Sequence, residues 1–206
     1  MGIITRPVVS RRSHSSQFHQ TDLFGDIPVV PEGFSYREGL ITEAEEANLL
    51  SELKLLPFKP FEFQGYLGKR RVVSYGWKYD FDRKTLRSGD PIPNFLLPLR
   101  ATAAAFAHIP ATDLQQILIN EYEPGAGVGW HRDKDMFDRV IGISLGSSCL
   151  FRFRQAKGED WERMSQRLAP RSGYVMRGLS RWAWEHSVQP VTDLRYSITF
   201  RHFRIS

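Results

Sequence analysis

His131 and Asp133 stand two positions apart in the stretch GWHRDKD (129–135), just after the turn-forming run Pro124-Gly125-Ala126-Gly127. On an extended backbone residues i and i+2 project to one face, so an imidazole nitrogen and a carboxylate oxygen can reach the same ion. A third donor has to come from elsewhere. His186, in WAWEHSV, is the candidate because it falls in a predicted strand among aromatic residues. The other histidines are placed less well: His14 and His19 lie near the start, His108 closes a predicted helix, and His202 follows the last arginine of the final predicted strand. Two histidines and one carboxylate on one side of an octahedron leave positions open on the other, a set that suits Fe(II) and also accepts Ni, Co or Zn. Solvated turns carry the same His-x-Asp spelling, so taken alone His131 is equally a turn histidine in water.

The final predicted strand, RYSITFR, adds an independent feature. Its alternation puts Arg195, Ser197, Thr199 and Arg201 on one face and Tyr196, Ile198 and Phe200 on the other. The two arginines lie roughly 20 Å apart along an extended backbone, so they serve one small ligand only by leaning inward from either end. Arginine grips carboxylates in a two-pronged fork, which points to a dicarboxylic acid.

These residues need elements to hold them. Residues 1–25 carry Arg6, Arg11, Arg12, His14 and His19 without an apolar period and read as a flexible basic arm. Residues 26–206 read as one domain, with helices and a substrate-recognition lid over 26–112 and a β core over 113–206. In TEAEEANLLSELKLL, Thr42 and Glu45 form a capping box ahead of helically spaced apolar residues. A second helix fits IPNFLLPLRATAAAFAH (92–108), kinked or split at Pro98. Between them, residues 61–84 interleave Phe61, Phe63, Tyr66, Tyr75, Trp77, Tyr79 and Phe81 with Lys69, Arg70, Arg71, Lys78, Arg83 and Lys84. That composition suits a nucleic-acid groove, and equally a half-buried hairpin with a wet basic side. Short strands follow at 114–122, 139–146, 149–155, 173–178, 181–188 and 194–203, the spacing of a two-sheet sandwich or jelly roll.

Composition narrows the function classes. Apolar residues make up 41% and charged residues 25%, with no apolar run of membrane-spanning length and no hydrophobic signal core, so a soluble, cytoplasmic protein is expected. Cys149 is the single cysteine, which excludes an internal disulfide and a cysteine-based zinc site and reads as a small buried hydrophobe. Lys and Arg outnumber Asp and Glu by 28 to 23, a bias toward anionic partners, nucleic acid among them. The glycine-rich PGAGVG is not a dinucleotide turn, since no helix or βαβ unit follows it, and no P-loop or nucleophile elbow occurs.

Taken in order, LINEYEPGAGVGWHRDKD, SLG, a histidine 55 residues after the first, and RYSITFR resemble the AlkB family of Fe(II)- and 2-oxoglutarate-dependent dioxygenases. The resemblance covers residues 114–203 well and 26–113 in outline. It implies a mainly β fold with flanking helices around a double-stranded β-helix (jelly-roll) core. It further implies His131, Asp133 and His186 as iron ligands and Asn120 and Tyr122 as co-substrate contacts. Arg195 would pair with the distal carboxylate of 2-oxoglutarate, with Arg201 near its other end. Ser197 stands where the family often has Asn, which implies a rearranged co-substrate contact. Asp135 matches an acidic residue that meets the target base. The lid wording RRVVSYGWKYDF is similar to the family's nucleic-acid-contacting segment, with Arg71, Tyr75 and Trp77 as substrate candidates. Its YGWKY leans toward the branch whose animal member hydroxylates a tRNA wobble uridine.

The reaction so implied uses Fe(II), 2-oxoglutarate and dioxygen to oxidise an N-methyl group, whose hydroxylated product loses formaldehyde. The expected function is oxidative demethylation of alkylated bases in DNA or RNA, that is, alkylation repair by a monomer with no membrane association. Two alternatives stay open: a tRNA- or protein-modifying hydroxylase or demethylase with the same machinery, and a non-catalytic nucleic-acid-binding module.

Overall fold

The structure, a computed structural model, describes residues 30–63, 66–80 and 85–204. The expected basic arm (1–25) lies outside them, as do Phe81, Arg83 and Lys84 of the aromatic and basic segment. Twelve strands and three α-helices are described. The strands are β1 (Phe34–Arg37), β2 (Lys59–Phe63), β3 (Tyr66–Asp80), β4 (Thr85–Ser88), β5 (Leu114–Tyr122), β6 (Val128–His131), β7 (Phe137–Leu145), β8 (Cys149–Lys157), β9 (Asp160–Leu168), β10 (Ser172–Met176), β11 (Glu185–Val188) and β12 (Arg195–Phe203); the helices are α1 (Glu43–Leu53), α2 (Leu97–Ala107) and α3 (Leu179–Trp182).

The strands form two sheets. The larger runs β1-β10-β7-β12-β5-β3-β2, with β4 paired to β3, and the smaller runs β6-β11-β8-β9. Every described pairing is antiparallel. The mainly β jelly-roll architecture read from the sequence is therefore the one observed.

The period of two along each strand sorts its side chains into two cores. One face of the larger sheet presents Ile117, Ile119, Ile141, Ile143, Ile198 and Phe200 to α1 and α2, which answer with Leu49, Leu53, Leu99 and Ala103. The other face meets the smaller sheet around Phe34, Phe137, Phe151, Phe153 and Tyr174. Cys149 is buried in this second core, where desolvation pushes its thiol up against the pull of Arg195. Within the larger sheet Gly142 of β7 stands opposite Tyr174 of β10 and has no room for a side chain: a Cβ there would overlap the Tyr174 ring.

Helix α1 starts where the capping box places it. Thr42 Oγ1 accepts from the Glu45 backbone N–H at 3.2 Å, and the Thr42 N–H donates to the Glu45 carboxylate at 2.7 Å. One turn in, the buried Glu46 ties the helix to the sheet edges, accepting from the Gly146 N–H at 2.9 Å and from Arg171 at 3.0 Å. Pro98 does not kink a long second helix. A 3-10 turn over Asn94–Leu96 precedes it, and Pro98 sits in the first turn of α2, where its missing N–H costs nothing. His108 does close that helix, in the left-handed conformation at φ 54°.

Two strand expectations need correction. Residues 181–188 are not one strand: Arg181 and Trp182 belong to α3, and β11 spans only Glu185–Val188. The cause is local, since Gly178 turns the chain at φ 55° and the Ser180 hydroxyl bonds back to Arg177 N–H and C=O. The sequence reading also passed over β9, whose outward residues Trp161, Arg163, Ser165 and Arg167 are polar or exposed and mask the alternation.

Candidate active site

Strands β6 and β11 pair antiparallel with His131 directly opposite His186. Their rings lie 4.3 Å apart centroid to centroid, tilted by 55°. Asp133 follows two residues after His131, and the ligand atoms of all three side chains lie within 4.8 Å of one another. His131 Nδ1 is 2.9 Å from the Gly129 carbonyl oxygen. A carbonyl only accepts, so Nδ1 carries the proton and Nε2 presents its lone pair.

The electrostatics favour cation binding. Burial holds His186 neutral, its pKa lowered to about 3, because Arg181, Arg201 and His131 nearby add to desolvation and together outweigh the attraction of Asp133. Burial would raise Asp133, yet Arg201, the two histidines and Arg181 outweigh it and bring the carboxyl down to about 2. Arg201 Nη2 donates to Asp133 Oδ1 at 3.0 Å, while Oδ2 lies 3.7 Å from His186 Nε2. His186 thus stands as a neutral imidazole and Asp133 as an ionised carboxylate, the forms a divalent metal requires.

Strand β12 sits between β5 and β7 at the centre of the larger sheet and forms the opposite wall. Its cavity face carries Arg195, Ser197, Thr199 and Arg201, joined by Asn120 and Tyr122 of β5, in a cavity that also holds the three donors. Arg195 is 1% exposed. Its Nη2 donates to Ser144 Oγ at 3.1 Å and its guanidinium lies 5.0 Å over the Tyr122 ring, but among the described residues Nε and Nη1 find no hydrogen-bond partner. Two buried, unpartnered donors on a residue that lines the cavity fit a carboxylate. Arg201 Nη1 donates to Gln116 Oε1 at 3.2 Å, and Asn120 Nδ2 donates to Ser197 Oγ at 3.3 Å. Val140, Phe151, Leu168 and Val188 supply apolar wall.

The description "2OG-Fe(II) oxygenase superfamily" belongs to the family model that matches this chain over residues 33–205. The chain belongs to that superfamily. As a 2OG-Fe(II) oxygenase it is an AlkB-like dioxygenase whose cofactors are Fe(II), 2-oxoglutarate and dioxygen, and the donor set and the unpaired Arg195 prongs fit the first two. The chain is 30% identical over 174 residues to the mouse (Mus musculus) "tRNA (carboxymethyluridine(34)-5-O)-methyltransferase ALKBH8", covering 80% of this chain and 25% of that protein. It is 30% identical over 138 residues to the Escherichia coli "Alpha-ketoglutarate-dependent dioxygenase AlkB", covering 61% of this chain and 63% of the relative. This 2OG-Fe(II) oxygenase thus spans about a quarter of the length of its mouse relative. The solved structure of OsALKBH1 shares the fold, with a TM-score of 0.63 at 16% identity, covering 84% of this chain and all of that one.

Not every residue singled out in the sequence reaches the oxygenase cavity. His131, Asp133, His186, Asn120, Tyr122, Arg195, Ser197 and Arg201 all line it. Arg71 and Tyr75 do not, because the pairing of β3 with β5 sets Val72 opposite Asn120 and turns the odd-numbered neighbours to the helix side. There Arg71 binds Glu121 at 2.5 Å and Tyr75 packs against the helix-side core. Trp77 is 44% exposed and Asp135 is exposed, and neither lines the cavity. The charged cavity residue that sequence reasoning missed is Arg70; the remaining uncharged lining residues, Tyr174 among them, were not read as site residues either. Arg70 lies 4.0 Å over the Phe61 ring, with Nε unpartnered among the described residues and its pKa lowered by burial. Its signal was the alternation of β3, legible only once the parity of that strand is known. Arg181 was missed too: 2% exposed, it donates to the Lys134 carbonyl and so clamps the turn that carries Asp133.

Among the described residues no helix is long and apolar enough to cross a membrane.

Proposed function

We propose that the protein oxidatively demethylates N-alkylated bases in DNA or RNA, with His131, Asp133 and His186 holding the iron. The observation that carries this reading is the opposition, across one cavity, of a two-histidine, one-carboxylate set and a buried arginine with two free donors. Fe(II) with 2-oxoglutarate and dioxygen supplies the oxidation of the N-methyl group, whose hydroxylated product releases formaldehyde.

The chain's own residues bind and orient. Arg195 receives the distal carboxylate of the co-substrate, and Asn120, Tyr122 and Ser197 line its length. Arg201 holds one oxygen of Asp133, which keeps that carboxylate charged and aims its other oxygen at the metal position. Val140, Phe151, Leu168 and Val188 keep water from the reacting carbon. Arg70, reaching the cavity from β3, meets the incoming base or its phosphate, and the base leaves its stack to enter. The excess of 28 basic over 23 acidic residues supports a nucleic-acid partner.

The test is formaldehyde release from oligonucleotides carrying 1-methyladenine or 3-methylcytosine, with Fe(II) and 2-oxoglutarate present. Release that vanishes in Asp133→Ala is expected; no release from either lesion by the loaded wild-type protein overturns the reading. A second reading, oxidation of a modified tRNA base, is favoured by the mouse relative, whose name places its action on tRNA. Mass spectrometry of tRNA from a deletion strain separates the two, and an unchanged tRNA profile counts against the second.

A further inference from the structure

The outward face of the smaller sheet carries side chains that the site above does not use. Because β6 and β11 point His131 and His186 inward, their neighbours Trp130 and Glu185 point outward. Across β8 and β9 the same face presents Arg152, Arg154, Trp161, Arg163 and Arg167, set by the pairings Arg154 to Arg163 and Leu150 to Arg167. Arg154 lies 4.7 Å over the Trp130 ring and 4.2 Å over the Trp161 ring, and Arg152 lies 4.9 Å over Trp130. The result is a ladder of rings and guanidiniums roughly 15 Å wide, at about 4.8 Å per strand over four strands.

Three features mark this face as a binding surface. It bears four arginines against one carboxylate, Glu185, which pairs with Arg154 at 2.6 Å. It sets Arg163 directly opposite Arg154, so that the one carboxylate of the face sits beside Arg154 and concentrates the remaining positive charge on β9. Trp161 is 38% exposed, and Arg163 and Arg167 are exposed. Among the described residues these arginines use few of their five donors: Arg152 donates to Ser187 Oγ at 3.1 Å, Arg163 to the Trp161 carbonyl at 3.2 Å and Arg167 to Ser148 Oγ at 2.7 Å.

We infer that this face binds the phosphate backbone of a single-stranded nucleic acid beside the base held in the cavity, with Trp161 as a stacking platform. The inference rests on the nucleic-acid reading above. Regularly spaced cations with interleaved rings suit a flexible polyanion that carries bases. Position agrees, since β6 is an edge strand of the smaller sheet and carries His131 toward the cavity and Trp130 onto the ladder. A strand whose base enters the cavity past this edge lays its flanking phosphates on the arginines.

The test is fluorescence anisotropy of labelled oligo(dT) and oligo(U) of about 12 nucleotides, within the range of single-strand site sizes, titrated with the full chain over a series of salt concentrations. Arg163→Ala/Arg167→Ala is expected to weaken binding roughly tenfold and to flatten the slope of log K against log salt by about 1.4, that is about 0.7 for each phosphate no longer neutralised. Arg163→Lys/Arg167→Lys keeps most of the affinity, Trp161→Ala weakens it and Trp161→Phe restores it. Equal affinity and slope in wild type and the double alanine variant overturn the surface and leave the nucleic-acid reading standing. Failure of wild type to bind either oligonucleotide at low salt overturns that reading as well. Capture of a poly-glutamate peptide, abolished in the double variant while oligonucleotide binding is unchanged, overturns the proposal in favour of a protein partner.

Discussion

Replacing Arg195 by Met separates a ligand-binding arginine from a structural one. The guanidinium is 1% exposed and donates to Ser144, while Nε and Nη1 find no partner among the described residues. If those donors take the distal carboxylate of 2-oxoglutarate, two charge-assisted hydrogen bonds disappear, together worth about 3–5 kcal/mol. That is roughly two to three and a half orders of magnitude in Kd. Without co-substrate the same substitution removes a buried, under-satisfied charge and substitutes an apolar chain of similar length, so the folded state changes by less than about 1 kcal/mol or gains. The assay is anaerobic titration of 2-oxoglutarate into Fe(II)-loaded protein, followed by the visible charge-transfer band, alongside urea unfolding of the metal-free protein. A control ligand closes the cycle: 2-oxobutyrate, a keto acid without the distal carboxylate, should bind wild type and variant alike. A 2-oxoglutarate Kd within threefold of wild type, or a loss of about 3 kcal/mol in metal-free stability, refutes the reasoning.

Three further outcomes are expected. Arg70→Ala raises the KM for an alkylated oligonucleotide and leaves urea stability unchanged, whereas Arg71→Ala leaves KM unchanged and costs about 1–3 kcal/mol by stranding the buried Glu121; steady-state kinetics and urea melts of both variants check this. Glu46→Ala costs about 2 kcal/mol in urea unfolding, because the Gly146 N–H and Arg171 lose their common acceptor. Burial and the hydrogen bond to Glu121 raise Tyr196 to about 12. The folded state therefore holds this proton more tightly than the unfolded one, and the stability it confers is complete below the ordinary phenol pKa of about 10 and lost as pH rises toward 12. Tyr196→Phe should show a shallower loss of stability over that window in denaturant melts.

What could be read from the chain followed the range over which each feature is determined. The capping box of α1 is settled within four residues, and it formed as spelled. The alternation of β12 survived because both its faces are buried, one against the helix-side core and one around the cavity, so a slip by one residue would misplace every side chain. Arg70 and Arg71 show the limit. Adjacent and chemically alike, they differ only in which face of β3 they occupy, and that parity is fixed by pairing with β5 some fifty residues away. The stretch before His186 failed for the opposite reason: its aromatic residues spell a strand, while Gly178 and the Ser180 hydroxyl impose a turn first.

The central place of β12 also bears on how the molecule is made. Its side chains reach Ser144, Asp133 and Asn120 across sequence separations of 51, 68 and 77 residues. Contacts of such high order form late and cooperatively, since the entropy of closing long loops is spent before they contribute. The arginine prongs and the acidic metal donor consequently have no half-built precursor. During refolding, recovery of 2-oxoglutarate affinity should keep step with protection of the β12 amides from hydrogen exchange.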